Sequence, residues 1–301
     1  MAIRFDDRVA IVTGSGGGLG REHALGLAAR GAKVVINDFG AGSVPATAQE
    51  TVALIEAAGG EAFAHGADVA DLGQVSDMVA QTIARWGRID ILVNNAGILR
   101  DKSFAKMTLP DWEAVMRVHV SGSAVCTMAV WPHMREAGYG RIVLTSSSSG
   151  LYGNFGQSNY GAAKMAMVGL MNVLHLEGAK TNIRINTLAP GAATQMTRDL
   201  LPPAIIDLMQ ASAVTPGLLF LVSEDAPSRV ILDATAGGYA RTVIQETDGI
   251  FLAGEENTPE AVAANWDRIN DMAGAVIFED GGNQVMKFIG KAAKAAGVSL
   301  S

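Results

Sequence analysis

The chain has a single cysteine in 301 residues, few aromatic side chains and a shortage of basic charge. One thiol, Cys126, cannot close an internal disulfide, so the fold must hold by packing, and a reducing compartment, the cytoplasm, is expected. Cys126 lies in an apolar helical run and reads as a small buried side chain. No apolar stretch reaches the roughly 20 residues that a membrane-spanning helix needs. Lysine and arginine total 23 against 30 acids, giving a net charge of −7. With a pI near 5.3, nucleic acid is not an expected partner. The start, MAIRFDDRVAIVTG, puts two acids among its first seven residues and does not read as a secretory signal. The end, GVSLS, is not a peroxisomal S-K-L. There is no evident repeat, low-complexity linker or metal-ligating set, and no metal is expected.

What is abundant is hydrophobic residues, at 49%, together with alanine and 35 glycines, which suits tight helix-on-sheet packing. Arg8–Thr13 is a short apolar run suited to a buried parallel strand. Gly14–Gly20, GSGGGLG, follows at once, then a helix closed by Gly31, then a strand ending at Asp38. This is a βαβ unit of the usual length. Its pattern is T-G-x-x-x-G-x-G, on Thr13, Gly14, Gly18 and Gly20; Leu19 stands where the G-x-G-x-x-G fingerprint has its last glycine. Glycines between a strand and a helix let backbone approach a pyrophosphate, which the helix N-terminus binds through free N–H groups. Asp38 is placed to accept hydrogen bonds from ribose hydroxyls, and positions 39 and 40 and the loop carry no lysine or arginine to meet a 2′-phosphate. NAD is therefore expected as the cofactor.

Further strands are expected over 61–69, 90–94, 141–147 and 183–191, with helices over 46–58, 71–87, 111–136 (bent at Pro132) and 157–180. Asp68 either holds the adenine amino group or caps the helix near Leu72. Asn94 is expected to tie neighbouring strands. Val69, Asn95, Ala96 and Gly97 join Ser15 and Leu19 as expected cofactor contacts, Ala96 and Gly97 leaving room for a ribose. Pro190-Gly191 is expected to end the sixth strand. Strands alternating with helices predict an α/β fold, a doubly wound parallel sheet of Rossmann type. Ligands in such sheets bind beyond the strand carboxyl ends, where all these residues fall.

Tyr160 and Lys164 stand four apart on one helix face, after the serines 146–149. A cation beside a phenol favours the phenolate, so Lys164 is expected to lower the Tyr160 pKa. With a hydroxyl in reach this is a proton-transfer unit.

TGSGGGLG, NNAG, the serine-bearing strand end, YGAAK and PG resemble, in order and spacing, the short-chain dehydrogenase/reductase family over about residues 5–232. The resemblance implies Tyr160 as general acid/base, Lys164 as nicotinamide-ribose ligand and Ser147 as donor to the substrate oxygen, with Ser146 and Ser148 the neighbours it could be confused with. Where the family commonly has asparagine in the central helix, MRVHVSGSA has His119, which acts through its carbonyl or its imidazole or is simply packed. GGGLGREHALGLAARGAKVVINDFG and SGLYGNFGQSNYGAAKMAMVGLMNVLHLEG are similar to the (3R)-hydroxyacyl-CoA dehydrogenase units of the multifunctional enzymes of peroxisomal β-oxidation, a type that also oxidises 17β-hydroxysteroids. The resemblance implies a lipophilic substrate, an acyl-CoA, with the hydroxysteroid as alternative, and a homodimer or homotetramer. A non-catalytic NAD-binding regulator on the same fold is the remaining alternative; it would be expected to lack the tyrosine or the lysine. The substrate loop is expected within 192–210. The chain reads as one domain, 1–301, with a core over 5–232 and an extension over 233–301, in which Thr258-Pro259-Glu260 opens a helix and GKAAKAAG forms a short basic one. Lys287, Lys291 and Lys294 there either sit on a surface helix or meet coenzyme A phosphates.

Overall fold

The computed structural model describes residues 2–41, 43–193 and 202–300. They form two compact units, Met1–Thr242 and Val243–Ser301.

The first unit is built on an eight-stranded sheet in the order β3-β2-β1-β4-β5-β6-β7-β8. The strands are β1 Val9–Thr13, β2 Lys33–Asn37, β3 Ala62–His65, β4 Ile91–Asn94, β5 Gly140–Thr145, β6 Ile183–Gly191, β7 Ile231–Thr235 and β8 Gly238–Thr242. All neighbours pair in parallel except β7 and β8. The helices are α1 Gly18–Ala28, α2 Ala46–Ala57, α3 Leu72–Trp86, α4 Leu109–Met116, α5 Gly122–Ala137, α6 Ser148–Tyr152, α7 Ser158–Gly178, α8 Pro203–Leu208 and α9 Thr215–Leu221. Side chains alternate between the two faces along each strand, and helices cover both. Ala10, Val12, Val34, Ile36, Ile91 and Val93 pack with Leu27 of α1, Ile55 of α2 and Leu218 of α9. Ile11, Val35, Leu92, Ile142 and Leu144 pack with Met78 of α3, Val130 of α5 and Met167 of α7. Two buried faces explain why the strands read as continuous apolar runs.

The structure departs from the sequence-based elements at several points. α1 begins at Gly18, inside the glycine loop. The predicted 111–136 helix starts at Leu109, with Thr108 capping Asp111 N–H, and continues through Pro132 to Ala137. It contains a π-helical turn over Arg117–Ser121. β6 ends at Gly191, as expected, although Pro190 and Gly191 still pair with β7, opposite Ala234 and Thr235. The β7–β8 hairpin was not expected; its turn is tight, with Ala236 at φ 50° and Gly237 at φ 80°. The apolar window Ala204–Leu221 has the composition of a membrane span. It is divided among α8, a 3₁₀ turn Ala211–Ala213 and α9, whose Leu218 and Leu221 are buried.

In the second unit, Thr258 caps α10 Pro259–Ala264, and α11 Trp266–Ile269 follows. The predicted basic helix is longer than expected: α12 spans Gly281–Ala296, capped by Asp280. Lys287 pairs with Glu246 at 2.8 Å and Lys291 with Asp248 at 2.8 Å. Those two ammonium groups are thus already partnered by carboxylates.

Candidate active site

The parallel strands deliver the predicted residues to one edge of the sheet. At the end of β1 the chain turns at Gly14, φ 62°, and a Cβ there would lie 2.8 Å from Ala96 Cα. A Cβ on Gly20 would lie 2.2 Å from the Gly14 carbonyl oxygen, and one on Gly16 2.1 Å from Asp38 Oδ2. Loop, β4 turn and Asp38 therefore touch through glycine. The α1 N-cap is Gly17, which offers no side-chain acceptor, and its first turn holds no acid. Its N–H groups and dipole are left for an anion, so the cradle fits a dinucleotide pyrophosphate.

Of the other loop residues, Leu19 packs against the core. Ser15 is fully buried, its hydroxyl donating to Val12 O at 2.7 Å, so it can present only backbone to a ligand. Asp38 Oδ1 accepts the Phe39 N–H at 2.9 Å. Burial raises its pKa, opposed by hydrogen bonds from Phe39 and Gly16 and by the charge of Arg21. Arg21 is a basic neighbour that the sequence reading missed. Its guanidinium is held by Gly16 O at 2.5 Å, Thr51 Oγ1 at 3.0 Å and Thr47 O at 3.2 Å, bracing the loop against α2.

Asp68 does not cap α3; Asp71 does, accepting the Gln74 N–H at 3.0 Å. Asp68 instead accepts the Ala70 N–H at 2.9 Å and pairs with Arg117 at 2.7 Å. Val69 is buried against Gly122. The tie between strands comes from Asn95, not Asn94. Asn95 Nδ2 donates to Thr13 O and Gly14 O at 2.9 and 3.1 Å, while Asn94 reaches Thr127 on α5. The Asn95 side chain is thereby committed to the protein. Gly191 lies against Thr235 at the end of β6. Residues 194–201, eight of the nineteen in the expected substrate loop, lie outside the described residues.

At the end of β5 three serines separate by geometry. Ser146 is buried and donates to Lys164 O at 2.8 Å. Ser148 is exposed. Ser147 caps α6, accepting the Ser149 N–H at 3.2 Å, and hydrogen-bonds Tyr160. Lys164 is buried and donates from Nζ to Thr145 O at 2.8 Å, 5.5 Å from the Tyr160 ring centroid. Burial lowers the Lys164 pKa to about 7. Burial also raises the Tyr160 phenol above its usual value; the Ser147 hydrogen bond works against this, and the Asp101 carboxylate adds to it. The expected depression of Tyr160 by Lys164 is therefore not met, because the same burial that would strengthen the lysine's field penalises both charged forms.

His119 sits in the π-helical turn, its ring edge-on to Tyr160 with centroids 5.3 Å apart. A Cβ on Gly97 would lie 2.3 Å from its Cε1. Both Ile98 N and Ile98 O come within hydrogen-bond distance of Nε2, at 3.0 and 2.8 Å, and one tautomer can satisfy only one of them. Nδ1 is buried without a partner among the described residues. Burial, and then the Lys164 charge, lowers the His119 pKa to about 3, so the ring is neutral.

A glycine-cradled anion site, an acid at the second strand and a Ser–Tyr–Lys cluster thus share one edge. The short chain dehydrogenase family model matches residues 8–203. The chain belongs to that family. It is an oxidoreductase acting on CH–OH groups with a nicotinamide cofactor. It is 45% identical over 276 residues to a Dictyostelium discoideum protein named peroxisomal multifunctional enzyme A, covering 89% of this chain and 61% of that one. Its structure resembles full-length peroxisomal multifunctional enzyme type 2 from Drosophila melanogaster, with TM-score 0.82 and 35% identity over 97% of this chain and 50% of that one. The chain thus spans only half to three-fifths of these relatives. A 7α-hydroxysteroid dehydrogenase solved with NADH and 7-oxo glycochenodeoxycholic acid matches with TM-score 0.72 and 31% identity over 78% of this chain and 95% of that one. The cytoplasmic expectation is corrected: the Dictyostelium and Drosophila relatives are both named as peroxisomal enzymes. A lone cysteine speaks to redox conditions and carries no address.

Proposed function

We propose that the protein oxidises a (3R)-hydroxyacyl-CoA to the 3-oxoacyl-CoA with NAD. The convergence of Ser147, Tyr160 and Lys164 beside the glycine cradle carries this reading. Gly14, Gly18 and Gly20, with the backbone of Ser15 and Leu19, would receive the pyrophosphate, and Asp38 the adenosine ribose. Asp68 and Val69 would border the adenine; Asn95, Ala96 and Gly97, with Pro190 and Gly191, would line the nicotinamide half. The cofactor, when bound, supplies the hydride acceptor. Tyr160 removes the hydroxyl proton, Ser147 positions the oxygen and stabilises its developing charge, and Lys164 holds the nicotinamide ribose and passes the proton outward. His119 fixes the Tyr160 ring.

The sequence resemblance to the (3R)-hydroxyacyl-CoA dehydrogenase units of the multifunctional enzymes, the kind of protein that the Dictyostelium and Drosophila relatives are named as, supports an acyl-CoA substrate. The likeness to the 7α-hydroxysteroid dehydrogenase supports a hydroxysteroid as the second reading. Exposed Met128 of α5 and Met165, Val173 and Leu176 of α7 support a homodimer or homotetramer, which sedimentation would show as a mass of two or four chains. The test of function is NADH appearance with a (3R)-hydroxyacyl-CoA and a hydroxysteroid side by side. The thioester should turn over with NAD and far more slowly with NADP. Turnover of the steroid alone would move the substrate and keep the mechanism; equal rates with NADP would refute the role of Asp38.

A further inference from the structure

Gln157 is the hub of a chain of hydrogen bonds that ends on Ser147. Its Nε2 donates to Asp101 Oδ2 at 2.7 Å. A carboxylate only accepts, so the amide orientation is settled by chemistry: Nε2 must face Asp101 and Oε1 must face away. Oε1 then accepts from Ser149 Oγ at 2.7 Å and Asn154 Nδ2 at 3.1 Å. Ser149, fixed through its side chain, donates its backbone N–H to Ser147 Oγ at 3.2 Å. That bond occupies a lone pair of Ser147 and leaves its O–H proton to be aimed elsewhere, toward Tyr160 and the reacting oxygen.

Holding the two loops together does not require the Gln157 side chain. Backbone already stitches them: Lys102 N donates to Gly156 O at 2.9 Å. Asn159 adds a side-chain bond to Arg100 O at 3.1 Å. The carboxamide is spent on Ser149.

We propose that Gln157, oriented by Asp101, is a positioning residue that presents the Ser147 hydroxyl to the substrate oxygen. This rests on the proposed catalytic role of Ser147. A misaimed donor loses transition-state stabilisation while leaving the dinucleotide site untouched.

The experiment measures kcat, substrate KM and NADH affinity of the full chain with its best alcohol substrate. The variants are Gln157→Ala, Asp101→Ala, Asp101→Asn, the double alanine variant and Ser147→Ala. Gln157→Ala and Asp101→Ala should each lower kcat about 10-fold, with NADH affinity within about twofold of wild type. Asp101→Asn, whose carboxamide oxygen still accepts from Nε2, should recover most of the rate. The double variant should be no slower than the worse single one, since both break the same chain. If Gln157→Ala does not fold, Gln157→Met keeps its length and gives the same reading. Wild-type kcat in Gln157→Ala beside a crippled Ser147→Ala would overturn the inference alone. Multiplicative losses in the double variant, or no recovery in Asp101→Asn, would overturn it too. Wild-type kcat in Ser147→Ala would sink the catalytic reading and the inference with it.

Discussion

Replacing Lys164 with methionine should stabilise the fold at neutral pH while destroying turnover. Burial takes the ammonium from 10.5 to about 7. The unfolded chain therefore holds a proton between those values that the folded chain has released. Stability rises with pH wherever the unfolded state binds more protons, so the wild type gains stability from about pH 7 to about pH 10.5. Below that window the buried charge costs the wild type roughly 5 kcal/mol, at about 1.4 kcal/mol per pKa unit. The variant is spared that penalty but leaves Thr145 O without its donor, a loss of about 1–3 kcal/mol. It should be the more stable protein by roughly 2–3 kcal/mol near neutrality. The sharper observable is the pH dependence of the difference, in which every other titrating group common to both proteins cancels. Urea unfolding of the two side by side should show the gap shrinking by about 2.5 kcal/mol between about pH 6.5 and about pH 9. A gap that stays constant across that range would show that Lys164 keeps its ordinary affinity for protons and refute the argument.

Tyr160→Phe should reduce kcat by at least about a thousandfold while NADH affinity, followed by fluorescence, stays within about twofold. Near wild-type activity would remove Tyr160 from the chemistry. Gly16→Ala and Gly20→Ala should separate function from folding. The first collides with the movable Asp38 carboxylate and should weaken NADH binding about 10-fold at nearly unchanged melting temperature; the second meets the Gly14 backbone and should cost about 2–3 kcal/mol of stability. His119, already neutral above its pKa of about 3, should contribute no limb to the pH profile of kcat/KM near pH 6.5. A limb there that vanished in His119→Asn would show the ring titrating in the working range.

Much of this architecture was legible because its strands are buried on both sides. RVAIVT, KVVIN and RIVLT carry unbroken apolar runs that only a covered parallel sheet can satisfy. The β7–β8 hairpin escaped notice for the converse reason. β8 is largely exposed, so it shows no burial alternation, and its turn puts an alanine at positive φ, where glycine or asparagine would have been the signal. The start of α1 was misplaced because glycine reads as a helix breaker, although the first turn needs bare N–H groups more than helix propensity. Tyr160 and Lys164 were visible through their spacing. Arg21 and Gln157 were not, and Asn95 was expected to contact the cofactor while its tie to Thr13 and Gly14 was assigned to Asn94, because each acts through carbonyls or amides that come together only when separate loops meet. A signal existed for Arg21, a cation one residue past Gly20, just outside the glycine loop. The local pKa shifts were misjudged because sequence shows which charges are neighbours and hides how much water they have lost.

The π-helical turn at Arg117–Ser121 also bears on how this chain can evolve. A π turn holds one residue more than an α turn, so it absorbs a single inserted residue without rotating the helix on either side. Loss of one residue there would let the turn relax to ordinary helix, keeping Val115 of α4 and Cys126, Val130 and Met134 of α5 facing inward. The exchange would be confined to the turn itself, which presents His119 to Tyr160 and packs Val118 and Val120 on the core. Most helices cannot change length without scrambling their buried face; this one carries, directly beneath the reacting groups, a position where the chain can lengthen or shorten by one and sample a new neighbour for the tyrosine in a single event.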